Sequence, residues 1–348
     1  MNIADSNLTY GPHVVILGAG ASIASNLRNP EINGLQLPSM NNLPELVGLY
    51  GILDKFPKEF ITSNFEETYS NIAAVDPNNP NLKRMNQMIY SYFSCMQLPN
   101  TPTIYDYLVM SLRNKDVIAT FNWDPFLYQA WWRNYLHGSS PTLLFLHGNV
   151  AIGYNEEADM IGWAGLTSQK TGNYYEPTQL LFPVKHKDYS RDKFISNQWS
   201  RLKTFLDKDK CNTHNVTIFG YSAPISDAEA LDAMKSAWGD VYSRNLEQFE
   251  LIDIRPEDEV VNSWKDFIHT HHFDFCTDFF SSSLALYPRR TDEAFWCHYF
   301  PLTPEEAFVE SNPVPQDFST FDEMWEWYQP LIDSESKKLS TQHSWQQK

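Results

Sequence analysis

The sequence carries the stretch VVILGAGAS at residues 14–22, and this stretch decides the fold. Its first half is a short apolar run rich in β-branched residues, which is typical of a buried strand. The glycines that follow predict a tight turn, with a helix directly after it. Such a turn lets the backbone approach a phosphate closely, and the helix N-terminus supplies N–H donors. We therefore interpret Gly18, Ala19, Gly20, Ala21 and Ser22 as a candidate phosphate-binding turn, with a plain strand-to-helix turn as the alternative.

This turn lacks two features of a dehydrogenase-type dinucleotide site. Ile23 stands where the third glycine of that fingerprint is expected. The region about 20 residues further on reads as a loop, without a well-placed acidic residue to bind a ribose. A dehydrogenase-type site is thus disfavoured.

Further short apolar runs recur along the chain. They predict strands at residues 117–121, 143–146, 216–219 and 249–254. Helical patterns separate them, at about 126–131, 195–206 and 227–238. Strands that alternate with helices predict an α/β fold with a doubly wound, parallel, Rossmann-like sheet.

Polar residues follow these strands where each one ends. The candidates are Asn122 and Asp124, then His147, then Gly220 with Ser222, and finally Asp253. In open α/β sheets, ligands bind outside the carboxyl ends of the strands, so we expect these residues to converge on one crevice. Each has an ordinary interpretation too, because Asn and Asp often cap helices and a lone histidine is often structural.

The chain is expected to divide at about residue 286. Residues 1–286 would form the catalytic domain, with a helical insertion at about 43–113 and a small module at about 150–215. Residues 287–348 would be an acidic extension with one helix, because Thr320 and Glu323 form a capping-box pattern ahead of an apolar face. We expect that helix to dock on the main domain or on a second protomer.

Charge and cysteine usage exclude several classes of protein. The formal net charge is −17, which argues against a dedicated nucleic-acid or anionic-membrane binder. Four isolated cysteines form no CxxC pair, and the crowded His269, His271 and His272 lack supporting ligands, so no metal is expected. The N-terminus lacks a signal-peptide pattern, and no apolar run approaches about 18 residues. A cytoplasmic protein is expected.

A serine hydrolase is one alternative. The segment GYSAP at residues 220–224 resembles a nucleophile elbow, except that Pro224 replaces the final glycine. Ser222 would be the nucleophile, Asp253 the acid and His271 or His272 the base, with His147 and Gly148 in the oxyanion loop. This hypothesis leaves the glycine turn and the Asn122 cluster without a role.

Taken together and in this order, the motifs resemble those of the sirtuin superfamily. They read GAGAS at 18–22, FNWD at 121–124, HG at 147–148 and GYS at 220–222. The flanking segments LPSM at 37–40, ATFNWDP at 119–125 and GYSAPISD at 220–227 look closer to the bacterial sirtuin-like proteins of antiphage defence, which hydrolyse NAD. Two departures from deacylase sirtuins stand out. Phe121 replaces a glutamine that contacts the nicotinamide ribose, and the four-cysteine zinc ribbon is missing.

The resemblance implies roles for the candidate residues. Asn122 would orient the ribose or the attacking water, and His147 would be the general base. Residues 18–22 would cradle the pyrophosphate, and Asp124 would shape the nicotinamide pocket. Gly220 and Ser222 would contact the adenosine-side phosphate or ribose, and Asp253 would take the adenosine ribose hydroxyls.

The predicted function is therefore cleavage of NAD to nicotinamide and ADP-ribose, with NAD as substrate and no metal. We expect an antiphage, abortive-infection role that is restrained by a homo-oligomer, by a regulatory partner from the same operon, by both of these, or by a ligand sensed elsewhere. The further alternative is a non-catalytic sensor that binds NAD or ADP-ribose without turnover.

Overall fold

Nine strands form in the computed structural model, which describes residues 11–26, 35–184, 189–190, 192–224, 227–244, 247–268, 272–299 and 311–345. The strands are β1 (His13–Leu17), β2 (Val117–Thr120), β3 (Thr142–Phe145), β4 (Ile152–Asn155), β5 (Met160–Trp163), β6 (Glu176–Pro177), β7 (Asn215–Phe219), β8 (Gln248–Ile252) and β9 (Phe273–Cys276).

Six of these strands make the central sheet, in the order β3-β2-β1-β7-β8-β9, and every pair is parallel. Strand order runs one way from β1 to β3 and the other way from β7 to β9. The point of reversal therefore lies between β1 and β7, and this is where doubly wound sheets open a ligand crevice. The predicted α/β class with a doubly wound parallel sheet is confirmed.

Helices connect and flank these strands. They are α1 (Ala19–Asn26), α2 (Leu43–Val47), α3 (Tyr50–Leu53), α4 (Phe65–Val75), α5 (Pro80–Ser94), α6 (Ile104–Met110), α7 (Phe126–Asn134), α8 (Lys193–Leu206), α9 (Ala228–Trp238), α10 (Glu257–Trp264), α11 (Ser283–Leu286), α12 (Thr291–Tyr299) and α13 (Phe321–Trp345). Helices α2 to α6 all lie between β1 and β2, within the stretch expected to be helical.

The small module contains a second sheet. Strands β4, β5 and β6 pair antiparallel in the order β5-β4-β6. Gly153 and Gly162 lie against Tyr175, whose atoms would come within 3 Å of any added Cβ atom. Tyr175 thus packs closely against β4 and β5 in the small module.

One strand of the central sheet escapes prediction. Strand β9 lies at the sheet edge and reads Phe-Asp-Phe-Cys, with only Cys276 buried. The other five strands of this sheet are almost wholly buried and read as apolar runs. Because most of its side chains are not buried, β9 carries a weaker apolar signal in its sequence than the other strands do.

The C-terminal helix α13 packs on the main body of the same chain. Its N-terminus has the expected capping box, in which the Glu323 N–H donates to Thr320 Oγ1 at 3.3 Å and the Thr320 N–H donates to the Glu323 carboxylate at 3.3 Å. Trp325 stacks on His137 with ring centroids 3.7 Å apart, and its indole N–H donates to Asn134 Oδ1 at 2.7 Å. Helix α13 thereby contacts α7 and the loop that follows it. The expectation of a single helix in residues 287–348 is wrong, because the described part of that stretch holds two, α12 and α13.

Candidate functional site

A cavity of about 320 Å³ opens at the carboxyl edge of the sheet, over the reversal of strand order. Most of the predicted site residues line it, namely Gly18, Ala19, Asn122, Asp124, His147, Gly220 and Ser222. They come from the ends of β1, β2, β3 and β7, as the parallel sheet requires. Gly20, Ala21, Ser22 and Asp253 are not part of this lining.

The glycine turn makes most of its hydrogen bonds within the protein. Gly18 N–H donates to the Phe219 carbonyl at 3.0 Å, Gly20 N–H to the Gly220 carbonyl at 3.0 Å, and Ala21 N–H to the Gly18 carbonyl at 3.1 Å. These three donors are therefore occupied. The expectation that all of residues 18–22 cradle a phosphate is therefore corrected for these three N–H groups, which bond to the last residue of β7, to Gly220 and within the turn itself.

Ser22 lies beneath the cavity, fully buried, and joins a polar network. Its hydroxyl donates to Asp124 Oδ2 at 2.7 Å and lies 2.7 Å from the Tyr105 hydroxyl. Asn122 Nδ2 lies 2.9 Å from Ser22 Oγ and 3.2 Å from the Tyr105 hydroxyl. Ser22 therefore holds Asp124 and Asn122 in place without lining the cavity itself. Tyr105 belongs to the distant helix α6, and in the sequence it reads only as part of an apolar helical face.

These contacts fix the orientation of the Asn122 side chain. Its Nδ2 donates to the Gly18 carbonyl at 2.8 Å, and a carbonyl oxygen can only accept a hydrogen bond. The amide group is thus held by its nitrogen end. Because Asn122 lines the cavity, Oδ1 is the polar atom that it can offer to a ligand.

Asp124 is a buried carboxyl in the same network. Besides the bond from Ser22, its Oδ1 accepts the Phe126 N–H at 3.2 Å, at the start of α7. Burial raises the pKa of Asp124 to about 6, and the hydrogen bonds from Ser22 and Phe126 oppose that rise only in part. The capping interpretation and the cavity-lining interpretation of Asp124 thus both describe this residue.

Replacing Asp124 by asparagine is expected to stabilise the protein at neutral pH. Folding raises the pKa of Asp124. The contribution of this carboxyl to the free energy of unfolding is therefore greatest below its ordinary pKa of 3.8 and is lost as the pH rises through about 6. The whole loss corresponds to about 3 kcal/mol, of which about half has occurred by pH 5. An asparagine carries no charge and can still donate to Ser22 and accept from Phe126.

Urea denaturation at two pH values checks this. Relative to the unsubstituted protein, the gain in the free energy of unfolding for Asp124→Asn should grow by about 1.5 kcal/mol from pH 5 to pH 7.5. Asp232→Asn, at an exposed position on α9, is the matched control. A gain that is the same at both pH values would contradict the argument.

His147 lies among aromatic rings on the other side of the cavity. Its ring meets the edge of Phe121 with centroids 4.8 Å apart, and Phe121 stacks on Tyr221 at 4.1 Å and 7°. His147 Nε2 lies 3.4 Å from the Tyr189 hydroxyl and 4.0 Å from Asp227 Oδ1. Tyr221 and Asp227 also line the cavity, although neither is among the residues predicted for the site.

Among the described residues, the serine-hydrolase triad of the alternative hypothesis is not assembled with His272 as its base. Ser222 lines the cavity, but His272 precedes β9 at the amino edge of the sheet, where its carbonyl accepts the Phe249 N–H at 3.3 Å. His271 lies outside the described residues. Ala223 has a φ of 49°, and α9 begins only at Ala228, so no helix follows Ser222 directly as in a nucleophile elbow.

Asp253 is engaged outside the cavity. Its carboxylate accepts from Arg255 Nε at 3.0 Å and from a terminal guanidinium nitrogen at 2.7 Å. Burial acts to raise the pKa of Asp253, but the hydrogen bonds and charge of Arg255 outweigh it and lower the pKa. The structure therefore pairs Asp253 with arginine and does not bring it to Asn122 and His147.

Two further kinds of site are absent from the described ranges. No group of three or more His, Cys, Asp or Glu residues there is arranged to hold a metal ion. None of the helices in the part of the chain that the structure covers has the length and hydropathy to cross a membrane.

Comparison with known proteins finds distant structural similarity. No family model matches the sequence, and no curated protein matches it. Among solved structures, the chain is similar to a Sir2 protein bound to an inhibitor, 2′-O-acetyl-ADP-ribose and a deacetylated peptide, with 12% identity, a TM-score of 0.38 and 77% and 88% of the two chains covered. It is also similar to a Sir2 homologue in complex with NAD, with 12% identity, a TM-score of 0.35 and 78% and 85% covered. Similarities this low carry no argument about activity, and the fold stands on the strand order given above.

Proposed function

We propose that this chain hydrolyses NAD at the bond between nicotinamide and ribose, giving nicotinamide and ADP-ribose. One observation carries the proposal. Asn122 and His147 come from the ends of two different strands and line the same cavity, together with Gly18, Ala19 and Gly220 at the reversal of strand order. That edge is where doubly wound sheets bind nucleotides.

The reaction suits these residues. The nicotinamide leaves as a neutral group through an oxocarbenium-like state, so the enzyme mainly has to orient the ribose and water and stabilise developing charge. Asn122 offers a fixed carbonyl oxygen to a ribose hydroxyl or to the attacking water. His147 accepts a proton from one of these groups as general base.

Other residues around the cavity would bind the remainder of the substrate. Asp124 would shape the nicotinamide end, and Gly220 with Ser222 would contact the adenosine-side phosphate or ribose. Ala19 lines the cavity and would offer its backbone N–H to a phosphate. Asp253 would take the adenosine ribose hydroxyls while its carboxylate also accepts from Arg255.

The aromatic pair supports hydrolysis over transfer of the ribose to an acylated peptide. Phe121 has no polar side-chain atom, and its ring is already stacked on Tyr221. The polar contact that a glutamine makes with the nicotinamide ribose in deacylase sirtuins is therefore not available from this position. Water remains as the acceptor.

An unrestrained NAD hydrolase would deplete its own cell, so we further propose that the activity is held back until infection. Restraint would come from a second copy or from a protein partner, in an abortive-infection role. The exposed aromatic end of α7 supports such contacts. Trp132 is 45% exposed there, beside Tyr135 and Trp163.

The test is nicotinamide release from NAD by the purified protein, with and without lysate from infected cells. Release that His147→Ala and Asn122→Ala each abolish would support hydrolysis, and a requirement for lysate would reveal a trigger. Binding of NAD by calorimetry without release would favour a sensor. If the protein neither released nicotinamide nor bound NAD, and an ester probe labelled Ser222, the serine hydrolase would be favoured instead. NADP run in parallel would define the preferred nucleotide.

A further inference from the structure

His147 and three other side chains that line the cavity form a closed ring of contacts. His147 packs against Phe121, Phe121 stacks on Tyr221, and the Tyr221 hydroxyl donates to Asp227 Oδ2 at 2.8 Å. Asp227 Oδ1 then lies 4.0 Å from His147 Nε2, which closes the ring. All four residues are buried, with exposed fractions between 4% and 7%.

The Asp227 side chain does not cap the helix that follows it. Asp227 is the N-cap residue of α9, a position where aspartate usually accepts a hydrogen bond from the first turn of its helix. Here the side chain makes no capping bond and instead accepts from Tyr221. That bond holds Oδ2, so that Oδ1 is the oxygen turned towards His147.

A carboxylate at this distance favours the protonated form of a histidine. The imidazolium that forms when a histidine accepts a proton is costly in a buried site, and a fixed negative charge offsets that cost. Among the described residues, Tyr189 is the other group that lies against Nε2. Burial, Asp227 and Glu229 raise the pKa of Tyr189, so it stays neutral and provides no charge there. The carboxyls of Glu66 and Asp124 line the same cavity.

We infer that Asp227 is the positioning residue for His147, and that Tyr221 fixes Asp227 in that role. This inference rests on the proposed function, because it concerns the general base of the same reaction. Asp227 orients the imidazole and stabilises its protonated form, without contact to the reacting atoms.

The kinetic test uses Asp227→Asn, which can still accept the Tyr221 hydrogen bond. We expect kcat for nicotinamide release to fall about 100-fold, while KM and the Kd for NAD change less than about threefold. Tyr221→Phe, which removes the hydrogen bond from the Tyr221 hydroxyl to Asp227 Oδ2, should lower kcat about tenfold. Asp232→Asn on the same helix is the control for removing a carboxylate, and it should keep the full rate.

A double variant separates positioning from an independent role. If Asp227 acts through His147, then His147→Ala with Asp227→Asn should be no slower than His147→Ala alone. The inference is overturned if Asp227→Asn keeps the original kcat. It is equally overturned if Asp227→Asn slows the His147→Ala variant by the same factor as it slows the unsubstituted protein.

A titration that needs no turnover distinguishes this inference from the proposed function. The pKa of the His147 imidazole, followed by NMR and assigned with His147→Ala, should fall by about one or more in Asp227→Asn. Complete absence of nicotinamide release from the unsubstituted protein would refute the proposed function, and the titration would still decide the pairing. An unchanged His147 pKa would refute the pairing.

Discussion

Replacing His147 by alanine is expected to lower kcat for nicotinamide release at least about 100-fold. The substitution removes the imidazole that accepts a proton from the ribose hydroxyl or the water. It leaves a small void beside Phe121 and Tyr221, whose stacking does not depend on His147. The fold and the affinity for NAD should therefore change little. Steady-state assays of nicotinamide release, together with calorimetry of NAD binding, measure both quantities.

Asn122→Ala should lower kcat for nicotinamide release by a similar factor, for a different reason. It removes the oriented Oδ1 and also the bond from Nδ2 to the Gly18 carbonyl. Both variants should bind NAD while turning it over slowly. Near-normal rates from folded samples of both would exclude Asn122 and His147 from the chemistry.

His272→Ala is the matched control and also tests the serine-hydrolase alternative. His272 is exposed and lies at the amino edge of the sheet, away from the cavity. Hydrolysis of NAD at the cavity predicts an unchanged rate for this variant. A strong loss there, with His147→Ala unaffected, would instead place the base at His272.

The strand ends could be predicted because burial leaves a clear signal. A parallel strand covered on both faces must be apolar throughout, so the polar residue that ends it stands out, as at Asn122 and His147. Parallel strands bring those ends to one edge, and this alone predicts that distant motifs meet. Edge strand β9 is half exposed and carries no such signal.

Tyr105 and Asp227, which hold other residues of the site in place, could not be predicted from the sequence. Tyr105 meets Ser22 and Asn122 through packing of α6 against the start of α1, and local sequence does not encode that packing. The sequence pattern places Asp227 only at the start of a helix, and the structure shows that its side chain accepts a hydrogen bond from Tyr221. Contacts between elements far apart in the chain depend on tertiary packing, which one sequence does not report.

Gly18→Ala is expected to destabilise the protein by about 3 kcal/mol or more and to abolish activity. A Cβ atom at position 18 would lie 2.4 Å from Tyr221 Cα and 2.5 Å from the Gly220 carbonyl oxygen. Both are backbone atoms, which a side-chain rotation cannot move away. The turn after β1 and the segment after β7 would have to separate, and the Gly18 carbonyl that holds Asn122 would move with them.

This expectation separates two roles for the glycine. If Gly18 served only to let a phosphate approach, Gly18→Ala would fold normally and bind NAD weakly. Close packing of the two backbone segments predicts instead a Tm lower by about 5 °C or more, even without ligand. Gly220, with a φ of 62° and Gly20 Cα 2.6 Å from its own added Cβ atom, should behave in the same way.

Gly51→Ala provides the control for the added methyl group. Gly51 lies in α3 with no heavy atom within 4 Å of an added Cβ atom, so alanine there should leave stability unchanged or raise it by up to about 1 kcal/mol. Thermal denaturation of the Gly18 and Gly51 variants side by side therefore measures the cost of the contact itself. If Gly18→Ala were as stable as Gly51→Ala, the close approach of Gly18 to Tyr221 and Gly220 would not require a glycine at position 18.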